Sequence, residues 1–348
     1  MSVSDIEAVL EALFLPLSSP VIDASASQRG VFLRARAGSW LRRWPGMTCV
    51  QTFKPFADEL VRAGASLAAP GDGSGLVLLL PPRQRDEARA LFAQAVRLAG
   101  NGGIVVACQP NNEGARSGEA DLARLVGNVQ SLSKHKCRVY WSRIDVARVD
   151  NALLDEWQAL DAPRPIAGGN WLSRPGLFAW DRVDAASALL VEHLPRDLRG
   201  RVADLGAGYG FLAAEVVRRC AAVEAIDLYE AEQRAEEPAR ANLERACRDT
   251  GRDVAFTFRW HDVTRGLGDR YDAIVSNPPF HQGRADQPEL GRAFIEVAAD
   301  ALQSSGVLWL VANRHLAYEA TLAAHFEAVR IVEVRDGFKV IEARNPKR

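Results

Sequence analysis

The feature that most constrains this chain is an alternation of apolar strand and helix patterns that begins near residue 199. Arg201-Val-Ala-Asp204 reads as a strand, Leu212 to Cys220 as a helix, and Val223-Glu-Ala-Ile-Asp227 as a second strand. A helix from Glu230 to Arg248 follows. Val254 to Trp260, Asp272-Ala-Ile-Val-Ser276 and Val307-Leu-Trp-Leu-Val-Ala312 add three strands, with a helix from about Glu289 to Leu302 before the last. Strands that alternate with helices pair in parallel, because a parallel return needs a long crossover, which the helix supplies. The end of the chain breaks the pattern. Val329 to Val334 and Gly337 to Ala343 are joined only by Arg335-Asp336, too short a link for a crossover, so they form an antiparallel hairpin.

A chain of 348 residues can bury two cores, and one stretch of the first half repeats the second. Leu76-Val-Leu-Leu-Leu-Pro-Pro-Arg83, a helix, and Gly103-Ile-Val-Val-Ala107 match Ala273-Ile-Val-Ser-Asn-Pro-Pro-Phe280, a helix, and Gly306-Val-Leu-Trp-Leu-Val311. Leu80 takes the place of Asn277 and Arg83 that of Phe280, and no glycine-rich loop precedes the first copy at the matching distance. We read a duplicated fold whose first copy lost its chemistry; a chance recurrence of Pro-Pro after an apolar strand is the alternative. Asp161-Ala-Pro-Arg-Pro-Ile-Ala-Gly-Gly169 breaks both periodicities. The expected division is therefore a degenerate domain over 1–160, a linker over 161–172 and a catalytic domain over 173–348.

Open α/β sheets bind ligands beyond the C-terminal ends of their strands, and two motifs fall there. In Asp204-Leu-Gly-Ala-Gly-Tyr-Gly210 a strand passes through a glycine-rich loop into a helix, where backbone can approach a ligand closely. The spacing of Gly206, Gly208 and Gly210 behind an aspartate differs from the Gly-x-Gly-x-x-Gly of dinucleotide folds. Asp204 suits a cationic ligand such as the ammonium of S-adenosylmethionine; a helix cap above a tight turn is the other reading. Asp227 lies 23 residues after Asp204 and ends the second strand, where a carboxylate can accept from both ribose hydroxyls of an adenosine. Asp262 ends the third strand and suits the adenine amine, or is a turn aspartate.

Asn277-Pro278-Pro279-Phe280, at the end of the fourth strand, selects the reaction. An amine conjugated to a ring is a weak nucleophile because its lone pair is delocalised. Acceptors at the Asn277 side-chain oxygen and the Pro278 carbonyl would hold both N–H groups, aim the lone pair at a methyl group and favour the positive charge that develops. The prolines stiffen the loop, and Phe280 offers a face to the substrate ring. No general base is needed, so His261 and His281 receive no proton-transfer role. These residues imply a methyltransferase acting on a planar exocyclic amine.

Composition narrows the partners. No apolar run approaches the length of a membrane span, and the start of the chain is acidic rather than that of a secretory signal, so a cytoplasmic protein is expected. Five scattered cysteines without metal-ligand spacing argue against disulfides and a structural metal. A net charge of -1 means that any nucleic acid must be held by a local basic patch. Lys134, Lys136, Arg138, Arg143 and Arg148 interleave with Tyr140 and Trp141, a candidate RNA-contacting strip or a solvated charged face.

Taken with Arg174-Pro-Gly-Leu-Phe178, Asp184-Ala-Ala-Ser187, Val311-Ala-Asn313 and Gly337-Phe-Lys-Val340, these motifs make the second half resemble the RsmC-type ribosomal RNA small-subunit methyltransferases. That family methylates the exocyclic amine of a guanine in 16S rRNA. Asn112-Glu-Gly-Ala-Arg-Ser117 and Lys134-His-Lys-Cys-Arg138 look similar to its degenerate N-terminal domain. The resemblance implies two tandem class I methyltransferase (Rossmann-like) α/β domains, each with a seven-stranded, mostly parallel sheet closing on an antiparallel hairpin. It also implies S-adenosylmethionine as cofactor, 16S rRNA or the 30S subunit as partner, and a place for Phe178 near the cofactor pocket, where it is the candidate substrate-binding ring, a core position being the other reading; a monomer without metal is expected. Lys134, Lys136 and Arg138 are the candidate RNA contacts of the first domain. Another planar amine, in rRNA or DNA adenine or in a protein glutamine, is the alternative substrate.

Overall fold

A computed structural model describes residues 3–18, 22, 29–69, 71, 74–279, 281–282, 285–286 and 288–347. The chain divides into two compact units, Met1–Ala162 and Pro163–Arg348.

In the first unit the strands are Arg29–Leu33 (β1), Gly46–Val50 (β2), Ser66–Leu67 (β3), Leu76–Leu79 (β4), Ile104–Pro110 (β5), Gln130–Lys134 (β6) and Cys137–Arg143 (β7). They form one sheet in the order β3-β2-β1-β4-β5-β7-β6. Its helices are Val3–Phe14 (α1), Lys54–Arg62 (α2), Arg85–Ala99 (α3), Ala115–Val126 (α4) and Asn151–Ala159 (α5). The second unit opens with a small hairpin, Arg164–Ile166 (β8) and Trp171–Ser173 (β9). Arg199–Leu205 (β10), Ala222–Glu230 (β11), Ala255–Trp260 (β12) and Tyr271–Ser276 (β13) follow, then the short pair His281–Gln282 (β14) and Ala285–Asp286 (β15). Leu302–Asn313 (β16), Phe326–Arg335 (β17) and Phe338–Pro346 (β18) complete the large sheet, ordered β12-β11-β10-β13-β16-β18-β17. Its helices are Ala185–His193 (α6), Phe211–Arg219 (α7), Glu236–Thr250 (α8), Pro288–Ala301 (α9) and Glu319–His325 (α10).

Counted within each sheet the strand order is the same, and in both the last two strands pair antiparallel while the other five are parallel. Alternation sends residues of one strand into two cores. Val202 packs with one apolar cluster, while Ala203 and Leu205 pack with the cluster on the other face. Two such layers also flank the first sheet. The expected duplication is therefore real.

Register aligns the copies residue by residue. Leu33 pairs with Leu79 as Leu205 pairs with Ser276, one residue before Leu80 and Asn277 respectively. Phe32 thus stands where Asp204 does, and Arg34 where Gly206 does. On the neighbouring strand Leu33 pairs with Val50 and Leu205 with Tyr229, which sets Gln51 opposite Glu230.

The stretch expected to be a linker is a correction. Pro and Gly between 161 and 172 shape the β8–β9 hairpin rather than a free tether. Trp171 is buried in the core of the second unit, and Asn242 of α8 bonds the backbone of Leu172 in both directions, at 2.9 Å each. Arg245 donates to the carbonyls of Gly169 and Asn170.

Candidate functional site

The glycine loop leaves β10 in three left-handed steps, with φ of 77°, 53° and 80° at Gly206, Gly208 and Gly210, a region where a side chain is strained. The amides of Gly206 and Ala207 both donate to the Tyr229 carbonyl, which fastens the loop to β11. A Cβ at Gly208 would meet nothing within 4 Å, so the middle of the loop is open backbone. A Cβ at Gly206 would lie 3.8 Å from Pro279 and 3.9 Å from the Asn277 carbonyl oxygen. The two motifs, far apart in sequence, meet at the ends of adjacent strands.

Asp204 is fully buried beneath the loop. Its Oδ2 accepts the Ala213 amide at 3.0 Å in the first turn of α7, so the capping role is real, while Oδ1 has no partner among the described residues. Burial, with a smaller push from Glu230, raises its carboxyl to about 7. A buried carboxylate oxygen left without a donor is costly. It fits a cationic group set against the loop.

The ribose carboxylate is a second correction. Asp227 lies inside β11, three residues short of its end. Its Oδ2 accepts from Arg201 at 2.7 Å, Tyr271 at 2.8 Å and Arg259 at 3.4 Å. Glu230 ends the strand on the opposite face. Its Oε2 accepts the Gly208 amide at 2.8 Å and its Oε1 the Glu232 amide at 2.7 Å, and burial raises its carboxyl above the ordinary range. Both oxygens keep free lone pairs for hydroxyl donors. The signal was present: Ile226, Leu228 and Glu230 share one face, so the alternation runs on past Asp227.

Asp262 lies two residues beyond β12 and caps a short turn, its Oδ1 accepting from the amide and hydroxyl of Thr264 at 3.0 and 2.7 Å. Its Oδ2 stands 3.8 Å from Arg265. His261 bonds the Gly266 carbonyl at 2.7 Å.

Asn277 is held by residues that sequence reasoning gave no role. Its Nδ2 donates to Asp184 Oδ2 and to Ser187 Oγ, both at 2.9 Å. Asp184 caps α6 by accepting the Ser187 amide at 2.9 Å. A carboxylate offers only acceptors, so the NH2 end of the amide must face Asp184, and Oδ1 is turned away with no donor among the described residues. Ser276 ties the loop to the Leu205 carbonyl at 2.7 Å, Pro278 is buried, and Phe280 lies outside the described residues. Phe178 is 62% exposed, an apolar ring outside any core.

The candidate strip of the first unit dissolves. Tyr140 and Trp141 are buried, and the Tyr140 hydroxyl donates to Gln109 at 2.6 Å. Lys134 pairs with Glu11 at 2.8 Å, Arg138 with Glu119, and Arg143 donates to the Gly102 carbonyl. Lys136 sits in the tight β6–β7 turn at φ 58°. The aromatic residues face the cores of a sheet, and Lys134 and Arg138 are matched by carboxylates, while Lys136 is exposed.

A doubly wound sheet ending in an antiparallel hairpin, a glycine loop over an unsatisfied acid and an amide oriented at the next strand define a class I methyltransferase. Residues 169–342 match the family model described as the methyltransferase small domain. The ribosomal RNA small subunit methyltransferase C of Pseudomonas paraeruginosa is 32% identical over 281 residues, 80% of this chain and 81% of that protein. That of Pectobacterium atrosepticum is 28% identical over 84% of this chain and 81% of its own. The T. thermophilus 16S rRNA N2 G1207 methyltransferase, solved with AdoMet and guanosine, superposes with a TM-score of 0.76 at 25% identity, covering 97% of this chain and 91% of that one. The chain belongs to the ribosomal RNA small subunit methyltransferase C family.

Proposed function

We propose that this chain transfers a methyl group from S-adenosylmethionine to the exocyclic amine of a guanine in 16S rRNA. The orientation of Asn277 carries the reading. With Nδ2 taken by Asp184 and Ser187, Oδ1 is the acceptor presented to a substrate amine, and the stiff Pro278 carbonyl is the second. Two fixed acceptors raise the lone pair's availability and stabilise the cationic nitrogen of the transition state. The developing charge is also favoured by the carboxylate of Asp184 behind the amide.

S-adenosylmethionine supplies an electrophilic methyl group on sulfur. The residues that would hold it fit: Asp204 Oδ1 for the ammonium, open backbone at Gly208 between the left-handed turns of Gly206 and Gly210, and Glu230 in place of Asp227 for the ribose hydroxyls. Asp262 keeps Oδ2 for the adenine amine. Phe178 and Phe280 are the faces for the guanine ring. Guanine rather than adenine is favoured by the guanosine bound to the T. thermophilus relative.

No described helix is long and apolar enough to cross a membrane, and we place the enzyme in the cytoplasm, acting as a monomer. Incubating the purified protein with 30S subunits or 16S rRNA and labelled cofactor, then digesting to nucleosides, tests the substrate. N2-methylguanosine is the expected product; N6-methyladenosine, or label in protein, would overturn the assignment.

A further inference from the structure

We propose that Asn313, the last residue of β16, reads the edge of the guanine ring next to the reacting amine and so sets the enzyme's preference for guanine. The inference rests on guanine being the methylated base. Asn277 and the Pro278 carbonyl grip an NH2 group, and adenine offers one as well as guanine does, so the choice between the bases must be made beside them. The edges differ there. In guanine the amine is followed by the N1–H donor and the O6 acceptor; in adenine it is followed by a bare N1 acceptor and a C–H.

Register and packing put Asn313 within reach of that edge. Ser276 pairs with Leu310, so Asn277 comes level with Val311, and Asn313 stands two residues farther along that strand. Trp309 and Val311 pack into the core beneath α6 with Ala186 and Leu190, and alternation places Asn313 on the same face, where Asp184 and Ser187 hold Asn277. With strands about 4.8 Å apart and a rise of about 3.3 Å per residue, the Cα atoms of the two asparagines are roughly 8 Å apart, room for one base edge between two amides.

The side chain is free for the task. Asn313 is half-buried, and its amide has no hydrogen-bond partner among the described residues, although asparagine is disfavoured in strands and a shielded amide left unbonded is costly. Its backbone, by contrast, is held. Its carbonyl accepts the Leu316 amide at 3.1 Å, and the Arg314 amide donates to the Gly337 carbonyl at 2.8 Å. Buried Lys339 reaches from β18 to the Leu316 carbonyl at 2.7 Å and to Glu319 at 2.5 Å. An amide on so fixed a backbone can offer Oδ1 to N1–H and Nδ2 to O6, a two-bond match that guanine completes and adenine does not.

The first copy makes the same turn without the amide. Leu79 pairs with Ala107 as Ser276 does with Leu310, which sets Pro110 where Asn313 stands. The Asn111 amide donates to the Lys136 carbonyl at 2.9 Å as Arg314 does to Gly337. The brace survives in the copy that carries Leu80 for Asn277, and the reading amide does not.

The test measures methyl transfer to 16S rRNA by wild type and Asn313→Ala, with free guanosine or 2-aminopurine riboside as competitor; the latter keeps the amine at C2 but has neither N1–H nor O6. Guanosine should inhibit wild type at about tenfold lower concentration than 2-aminopurine riboside, and the two should inhibit Asn313→Ala alike. The variant's kcat/KM for rRNA should fall about tenfold or more, with S-adenosylhomocysteine affinity by calorimetry unchanged. A merely structural Asn313 would weaken both competitors equally and keep the wild-type ratio between them, which overturns the inference. So does equal inhibition of wild type by the two nucleosides, including none by either, a result that needs no variant to fold. Failure of wild type to form N2-methylguanosine in rRNA overturns the functional reading and the inference with it.

Discussion

At the ends of β1 and β10 the chain makes the same turn twice, and only one of the two turns can catalyse. In both, the loop returns an amide to the neighbouring strand: Ala35 to the Val50 carbonyl, Ala207 to the Tyr229 carbonyl, each at 3.1 Å. In both, the next residue of that strand accepts an amide two positions on, Gln51 from Phe53 at 2.9 Å and Glu230 from Glu232 at 2.7 Å. The backbone frame is conserved to this level of detail. What differs is a handful of side chains. An acid has become Phe32, a carboxylate has become the amide of Gln51, and Asn277 has Leu80 for a counterpart. Sheet order and packing are therefore separable from chemistry, because apolar alternation holds the frame while three or four polar atoms carry the reaction.

Importing first-copy residues into the second breaks the comparison in graded steps. Asn277→Leu, which copies Leu80, removes a fixed acceptor whose bond strengthens as charge develops, and transfer to rRNA is expected to fall about 10²–10³-fold. S-adenosylhomocysteine affinity should stay near wild type. Glu230→Gln, which copies Gln51, replaces a charged acceptor by an amide that can satisfy itself on the loop. Calorimetry should then show cofactor binding weakened about 10–100-fold, the range for a hydrogen bond to a charged group. Asp184→Ala frees the Asn277 amide to rotate; kcat is expected to drop about tenfold or more with cofactor affinity unchanged, and Ser187→Ala to lose less.

The smallest effect is a pH profile. The Asp204 carboxyl is raised to about 7, so the stability it contributes is complete below its unfolded value and is lost as pH rises toward 7. A bound ammonium needs the ionised form. Cofactor affinity should therefore climb with pH up to about 7, by at most about tenfold per unit, and level off above. Asp204→Asn should flatten that climb; an equally steep profile in the variant would remove Asp204 from the ammonium site.

Much of this was legible in sequence. The alternation near residue 199 produced the sheet, the two-residue link produced the β17–β18 hairpin, and the Pro-Pro repeat exposed the duplication. Each is a local pattern tied to a periodicity. The errors have equally physical causes. Asp227 drew the ribose role because an acid looked like a strand end, although β11 runs on to Glu230. Tyr140 and Trp141 looked like an exposed strip because cations neighbour them, but both are buried. Pro and Gly around 165 suggested a tether where they shape a hairpin. The bond from Asn277 to Asp184 spans 93 residues, and no local pattern announces such a contact.

The central claim is that one of two like-built copies holds the chemistry. Calorimetric titration of the full chain with S-adenosylhomocysteine measures it directly. One site per chain, lost in Glu230→Ala and retained in Gln51→Ala, is the expected result. Two sites per chain, or a single site abolished by Gln51→Ala and untouched by Glu230→Ala, would contradict the account.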